Sequence, residues 1–456
     1  MNSRARLYEI IDKSQTGPIV SEKDFDRYHV TQNLKNIVKK YDIRLRQDTI
    51  INMDAELEDR VWDAALEFLA NCGVYCKDTG RIIQYSEKEL RELMKQAPAE
   101  TVYGEGLDQY REIARTPDDP RRALCCGSSV GVPAPNEYAG PIMVSYMREP
   151  LIDMHGATTN LTSLIGSELR SKSALEILAC WEAVTQFQQL AACVGRPGLA
   201  QHAIGHAISD VGHLSAGHKM RRSDSHAFGI ISELKVDNTI INKMTHLALL
   251  DAVTAPYANP IFGGLGGGVP GQMVLLCAEM IALSTIFMAT NCGSTPVHPL
   301  WFCSTAKEIM QYTSVAFGAL TRHATVLTRL AHTCVGGPVT KTLLYETIAS
   351  TIMATKSGIS TIDGPRPAVG VITGHCTGLE ARFQGEIVRA APGLERGIAE
   401  EIVQKAYARY ADDLDKKPYG KPFWEAYKMD SITPTEEWLR MYEEVKEEAI
   451  SWGLPL

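Results

Sequence analysis

The chain has 456 residues, 45% hydrophobic and 22% charged, with a formal net charge of -8. Those are the proportions of a globular protein with enough chain for one large core or for two or three domains. The acidic balance argues against a surface built to neutralise nucleic-acid phosphates, and the opening residues Met1-Asn-Ser-Arg-Ala-Arg lack the apolar stretch of a secretory signal.

The stretch closest in character to a membrane span, 274–290, is interrupted by Glu279 and reads as a buried helix. The 11 cysteines form no CxxC pair. Free thiols in a reducing cytoplasm are the expectation, with Cys180 and Cys277 as small buried apolar groups.

Residues 1–120 read as a polar N-terminal helical extension. Apolar residues recur at helical spacing over 55–72 (Val61, Ala64, Ala65, Phe68, Leu69), and Ser86 with Glu89 three residues on is a capping-box signature. From about residue 121 the pattern changes. Apolar runs end in glycine or polar clusters, and each is followed by a helical segment. The runs begin at Cys125-Cys126, Asn160-Leu-Thr-Ser-Leu, Ala191-Ala-Cys-Val, Ala227-Phe-Gly-Ile, Pro260-Ile-Phe, Gly293-Ser-Thr, Thr325-Val-Leu and Val369-Gly-Val-Ile. The helices expected after them include 174–189, 236–251, 271–290, 306–320, 341–356 and 380–391.

Buried strands alternating with helices imply parallel pairing. About eight such units over roughly 270 residues suit a closed (β/α)8 TIM barrel at 121–395. An open doubly wound sheet is the competing architecture, but it would concentrate its glycine loop at one switch point. Residues 396–456 read as a C-terminal helical tail packed on the barrel.

Five of the 12 histidines (His202, His206, His213, His218, His226) fall within 25 residues after Gly195-Arg-Pro-Gly. Histidine titrates, binds metal and moves protons near neutral pH, so the cluster is a candidate site. Its alternative is a set of ordinary solvated or hydrogen-bonded rings. His202 and His206 are four apart and would share a helix face, a spacing that suits zinc. No glutamate lies between them, so the HExxH pattern is absent.

Asp224 could fix the tautomer of His226. His298 in Pro296-Val-His and His332 in Leu330-Ala-His stand at two further predicted strand exits, which one barrel mouth would gather. Gly263-Gly-Leu-Gly-Gly-Gly268 has no following Lys-Ser/Thr, so it is no P-loop; its glycines would let a flat ligand or a partner protein approach the backbone. Glu380, Arg382, Glu386 and Arg389 read as ion pairs on one helix face.

Taken together, these blocks resemble the monomethylamine:corrinoid methyltransferase family. The resemblance runs from Gly73-Val-Tyr-Cys-Lys-Asp-Thr-Gly-Arg-Ile through Gly195-Arg-Pro-Gly, Asp224-Ser-His, Glu233-Leu-Lys, Pro260-Ile-Phe-Gly-Gly, Pro296-Val-His and Thr377-Gly-Leu-Glu-Ala-Arg to Thr433-Pro-Thr-Glu-Glu-Trp. It implies a (β/α)8 barrel, a cytoplasmic homo-oligomer (a hexamer), a corrinoid protein as partner, and methyl transfer from a methylated amine to Co(I). It also implies a departure. Pyrrolysine stands in the family seven residues after the glycine that opens Gly-Arg-Pro-Gly, and His202 holds that position here. An imidazole cannot form the family's amine adduct. The positions aligned with the family's acidic and amide pocket residues carry Ala227, Tyr257 and Ala331.

The expected catalytic residue is therefore His202, with Tyr257, Asp224, His226, His298 and His332 binding substrate. A quaternary ammonium donor would need no adduct, and Tyr257 could face such a cation. Two alternatives remain open: a zinc-dependent O- or S-methyl transfer using His202 and His206, and a non-catalytic homologue that binds the corrinoid protein or a ligand.

Overall fold

The computed structural model describes residues 3–46, 48–157, 163–203 and 209–456. Eight parallel strands close a barrel: β1 Leu124–Ser128, β2 Met154–Gly156, β3 Ala200–His202, β4 His226–Gly229, β5 Thr254–Ala258, β6 Asn291–Ser294, β7 Leu327–Thr333 and β8 Thr361–Arg366. β8 pairs with β1. The ring is completed between β3 and β4, where Ser225 donates its N–H to the Gln201 carbonyl at 2.8 Å and its own carbonyl accepts from Ala203 at 3.0 Å. The expected (β/α)8 architecture is thus the observed one.

A helix follows each strand: α1 Asn136–Met147, α2 Ala174–Cys193, α3 Asp210–Lys219, α4 Asn238–Leu249, α5 Val269–Thr285, α6 Lys307–His323, α7 Lys341–Lys356 and α8 Gly378–Ala390. Parallel neighbours can only be joined by such crossovers. Every residue of α5 from Gly271 to Thr285 is buried. The helix Ala55–Cys72 and α6 both pack on it, which accounts for its lack of a polar face. No described helix is long and apolar enough to cross a membrane.

Four strand assignments differ from the sequence reading. The fifth strand is Thr254–Ala258, and Pro260-Ile-Phe follows it. Ala191–Cys193 ends α2 rather than forming a strand; β3 begins only after the break at Gly195, Pro197 and Gly198. The second strand is Met154–Gly156, whereas Ser163–Leu164 belongs to a small surface hairpin and 160–162 lie outside the described residues. The eighth strand is Thr361–Arg366, and Ala368–Gly370 is a short 3-10 turn. In each case a short apolar run reads as a strand where its neighbour in sequence forms it, because periodicity cannot separate strand from buried helix over four or five residues.

The 87–94 helix carries the expected capping box at Ser86 and Glu89. Two of the α8 charges find partners on other elements: Arg382 pairs with Glu149 at 2.7 Å and Glu386 with Lys446 at 2.9 Å. The glycine run 263–268 turns onto the start of α5, where a Cβ on Gly271 would strike the Gly266 carbonyl oxygen. Its glycines serve close backbone packing there, and it does not line the barrel cavity.

One continuous apolar core joins the N-terminal helices, the barrel and the C-terminal helices Arg396–Tyr410 and Glu436–Ser451, from Leu7 to Leu454. The foot of the barrel is closed by the hairpin Glu100–Tyr103 and Tyr110–Ile113. Its Glu112 accepts hydrogen bonds of 2.9 Å from the side-chain amide of Asn291, the first residue of β6. All 11 cysteines are free thiols, and Cys193 alone among them is exposed.

Candidate active site

A cavity of about 470 Å³ opens at the C-terminal ends of the strands. Ser128 (β1), His202 (β3), Ala227 to Gly229 (β4), Tyr257 (β5), Ala331 (β7), and Asp363 with Arg366 (β8) line it, with Lys243 of α4 on one side. On β7 and β8, where Ala331 and Asp363 are register partners, alternation turns both toward the cavity and turns their successors His332 and Gly364 away from it. Tyr257 stands opposite Gly293 in register. A Cβ on Gly293 would lie 2.9 Å from the phenol ring, so the glycine makes room for it.

Four polar side chains interlock at the floor. The Tyr257 hydroxyl donates to Asp363 Oδ2 at 2.7 Å. Nε2 of His202 lies 3.1 Å from both the Tyr257 oxygen and Asp363 Oδ2. Nδ1 of His202 is 2.9 Å from the Ser225 hydroxyl. The Nε2–H tautomer satisfies all of these contacts, with Nδ1 accepting from Ser225. Below them the guanidinium of Arg329, fully buried, approaches Asp363 Oδ2 to 3.8 Å.

The charge states follow from these neighbours. Burial pushes the Asp363 carboxyl up, but His202, Arg329 and the Tyr257 hydroxyl together outweigh it and hold the group far below the ordinary carboxylate range. We assign it as an anion, with Arg329 the fixed counter-charge. Burial, with Arg329 adding to it, lowers His202 against the opposing pull of Asp363. Its ring is neutral. Burial and then Asp363 raise Tyr257 well above the usual phenol range, so it stays protonated and donating.

The sequence-derived candidates divide into groups. His202 and Tyr257 are in the cavity and in contact with each other, and Ala227 and Ala331 line its wall. His332 is on β7 but faces away from the cavity, against Gly364, where a Cβ would lie 3.0 Å from its Nε2. Asp224 and His226 are at the foot of the barrel rather than its mouth. Asp224 accepts from the Gln201 N–H at 3.0 Å and pairs with Arg221 at 3.2 Å. His226 opens β4 and its Nε2 sits 3.0 Å from the Arg221 carbonyl. Both brace the loop entering β4, because the strand begins at His226 instead of ending near it. His298 is stacked between Trp301 and Phe262, with centroids 4.1 and 5.7 Å away, and does not line the cavity.

His202 ends a strand, so the supposed helix face shared with His206 does not exist on its side; His206 itself lies outside the described residues. Both ring nitrogens of His202 are already engaged. Among the described residues no three His, Cys, Asp or Glu side chains converge as a metal donor set.

Ser225, Arg329, Asp363 and Arg366 are not among the sequence-derived candidates. The signal in the sequence is that Arg329 and Asp363 each put a charge inside a buried strand, and a buried charge needs a partner.

Comparison with known proteins supplies the context. Residues 5–454 match the family model described as monomethylamine methyltransferase MtmB. Curated relatives include monomethylamine methyltransferase MtmB2 of Methanosarcina acetivorans, 28% identical over 451 residues, with 98% of each chain covered. Another is MtmB of Methanosarcina mazei, 28% identical over 452 residues at the same coverage. The crystal structure of the Methanosarcina barkeri monomethylamine methyltransferase superposes with a TM-score of 0.95 at 28% identity, covering 99% of this chain and 98% of that one. A structure described as the hydroxylamine MtmB complex matches equally well. With a barrel of the same shape and a family match over nearly its whole length, the chain belongs to the monomethylamine methyltransferase MtmB family.

Proposed function

We propose that the protein moves a methyl group from the nitrogen of a methylated amine to the reduced cobalt of a corrinoid carried by a partner protein. The observation that carries this reading is Asp363: a buried anion with its Oδ1 unpartnered, beside a phenol ring, in a cavity at the strand ends where barrel enzymes act. A carboxylate and an aromatic face in one pocket favour a cationic nitrogen.

When docked, the corrinoid supplies the electron pair of the new carbon–cobalt bond. The donor nitrogen keeps the pair of the broken N–CH3 bond. A quaternary donor therefore departs as a neutral tertiary amine and needs no proton. A less substituted amine must enter protonated, and Asp363 favours that form. His202, bonded on both sides, orients Tyr257 and Asp363 and does not shuttle a proton. Holding the donor in line and keeping water out are the main contributions available to the protein. Phe228, Ile240 and Val130 supply the apolar walls. Exposed Ile261, Leu300, Phe302 and Val371 follow β5, β6 and β8 at the same end, which supports this rim as the partner-docking face.

The test mixes purified protein with its corrinoid partner, held as Co(I), and a panel of methylated amines, and follows methyl–cobalt absorbance. Methylation from at least one donor, reduced about a hundredfold or more by Asp363→Asn, is expected. No methylation from any donor overturns the reading.

A further inference from the structure

The cavity also holds a cation that the floor cluster does not use. Arg366 ends β8 and lines the same space as Asp363. Its guanidinium lies against bare backbone: a Cβ on Gly370 would be 3.2 Å from its Nη2, and one on Gly131 would be 3.7 Å away. Both glycines have positive φ, +70° and +83°. Two loops thus turn so that a planar cation can lie against them. Among the described residues no carboxylate comes within ion-pair distance of Arg366, and its buried Nε has no hydrogen-bond partner.

The other charges differ in this respect. Asp363 has Arg329 beneath it. Lys243 and Asp237, also on the cavity wall, are neighbours of each other; Lys243 has Asp210 and Glu176 nearby as well, and Asp237 accepts from the Ile240 N–H at 2.9 Å. The uncompensated charge facing the cavity is therefore the guanidinium. An arginine fork matches a carboxylate in two parallel hydrogen bonds. Ser128 and Asp363, which line the same cavity, each carry a buried oxygen without a partner, Oγ and Oδ1. A simple alkylammonium would satisfy Asp363 but leave Arg366 facing a like charge. A zwitterion would satisfy both.

Resting on the methyl-transfer reading above, we infer that Arg366 binds a carboxylate on the donor, so that the substrate class is N-methylated amino acids of the betaine type, with the methylated nitrogen at Asp363 and Tyr257. The methyl transfer itself is unchanged: the N–CH3 bond breaks, nitrogen keeps its electron pair, and the demethylated amino acid leaves.

The experiment has a binding arm and a turnover arm, both on the full chain. Calorimetric titration compares N-methylglycine, dimethylglycine, trimethylglycine and trimethylammonio-butanoate with methylamine, dimethylamine, trimethylamine and tetramethylammonium. At least one carboxylated probe is expected to bind about tenfold or more tighter than its carboxylate-free counterpart. Arg366→Ala removes that preference, and Arg366→Lys restores part of it. Equal or weaker binding of every carboxylated probe overturns the inference, as does a preference that survives Arg366→Ala. The Co(I) assay separates the two readings. Turnover of carboxylate-free amines alone overturns the inference and leaves the methyl-transfer reading standing. No turnover with either series overturns the methyl-transfer reading.

Discussion

The hydroxyl of Tyr257 on β5 donates a 2.7 Å hydrogen bond to Asp363 on β8, across the barrel and 106 residues away in sequence. Nothing local creates that contact. It exists because the ring of strands brings opposite sides of the sheet together, and it fixes which way the carboxylate faces. Asp363 Oδ2 is taken up by Tyr257, His202 and Arg329, whereas Oδ1 is buried without a hydrogen-bond partner, at a β8 position whose register neighbour on β1 is Cys126.

Removing the hydroxyl tests this directly. Tyr257→Phe keeps the ring and its packing but takes one donor from a buried anion. The cost should be about 1–3 kcal/mol in unfolding free energy. Methyl transfer should fall more than stability does. Urea denaturation and the cobalt assay, run side by side, read the two effects.

Arg329 is the counter-charge for Asp363. Arg329→Met leaves a buried carboxylate without its cation, which should cost about 3–5 kcal/mol. Adding Asp363→Asn removes the stranded charge, so the double variant should be more stable than Arg329→Met alone. A double-mutant cycle in urea measures the coupling. Additive single effects would contradict the pairing.

The glycine beneath Tyr257 gives a cleaner separation of fold from site. In Gly293→Ala the new methyl group meets the phenol ring at 2.9 Å, and the ring must shift off Asp363. Activity should drop by an order of magnitude or more, on the scale of a misplaced catalytic group, with a smaller change in melting temperature. Unaltered kinetics would mean that the ring position is unimportant.

Buried histidines contribute to the acid limb of stability, His155 and His332 among them. Burial depresses both His155 and His332 to about 4, below the unfolded value of about 6.5. In the folded protein the rings stay neutral where the unfolded chain takes up protons. Their contribution is present above about pH 6.5 and is lost as pH falls toward 4, at about 1.4 kcal/mol per pH unit per ring. His332→Gln, judged against wild type, should flatten the loss of unfolding free energy between pH 6.5 and 4. An unchanged slope would show the ring already charged in the fold.

How far the sequence alone reached can be traced in particular residues. Helices such as 55–72 and 341–356 were legible to the residue, because apolar spacing, end signals and length agree over four or more turns. The alternation of strand and helix was enough to reach the barrel. Short strands were less legible: β2 has three residues, and the apolar run after it looks equally strand-like.

For the site, sequence spacing gathered histidines that the fold then scattered. Of the four described histidines in the cluster after Gly195, His202 enters the cavity, His213 reaches the Ala227 carbonyl at 3.1 Å from α3, His218 stacks on His246, and His226 braces the foot of the barrel. Distance along the chain says little about distance across a closed sheet, where residues 50 to 160 positions apart become neighbours. Periodicity, turn chemistry and helix capping are local, so the sequence by itself determined an alternating α/β chain, a barrel and a family. The pairing of Tyr257 with Asp363, the counter-charge at Arg329 and the open guanidinium of Arg366 depend on strand register and on which face each residue takes once the ring closes, and only the tertiary structure decided those.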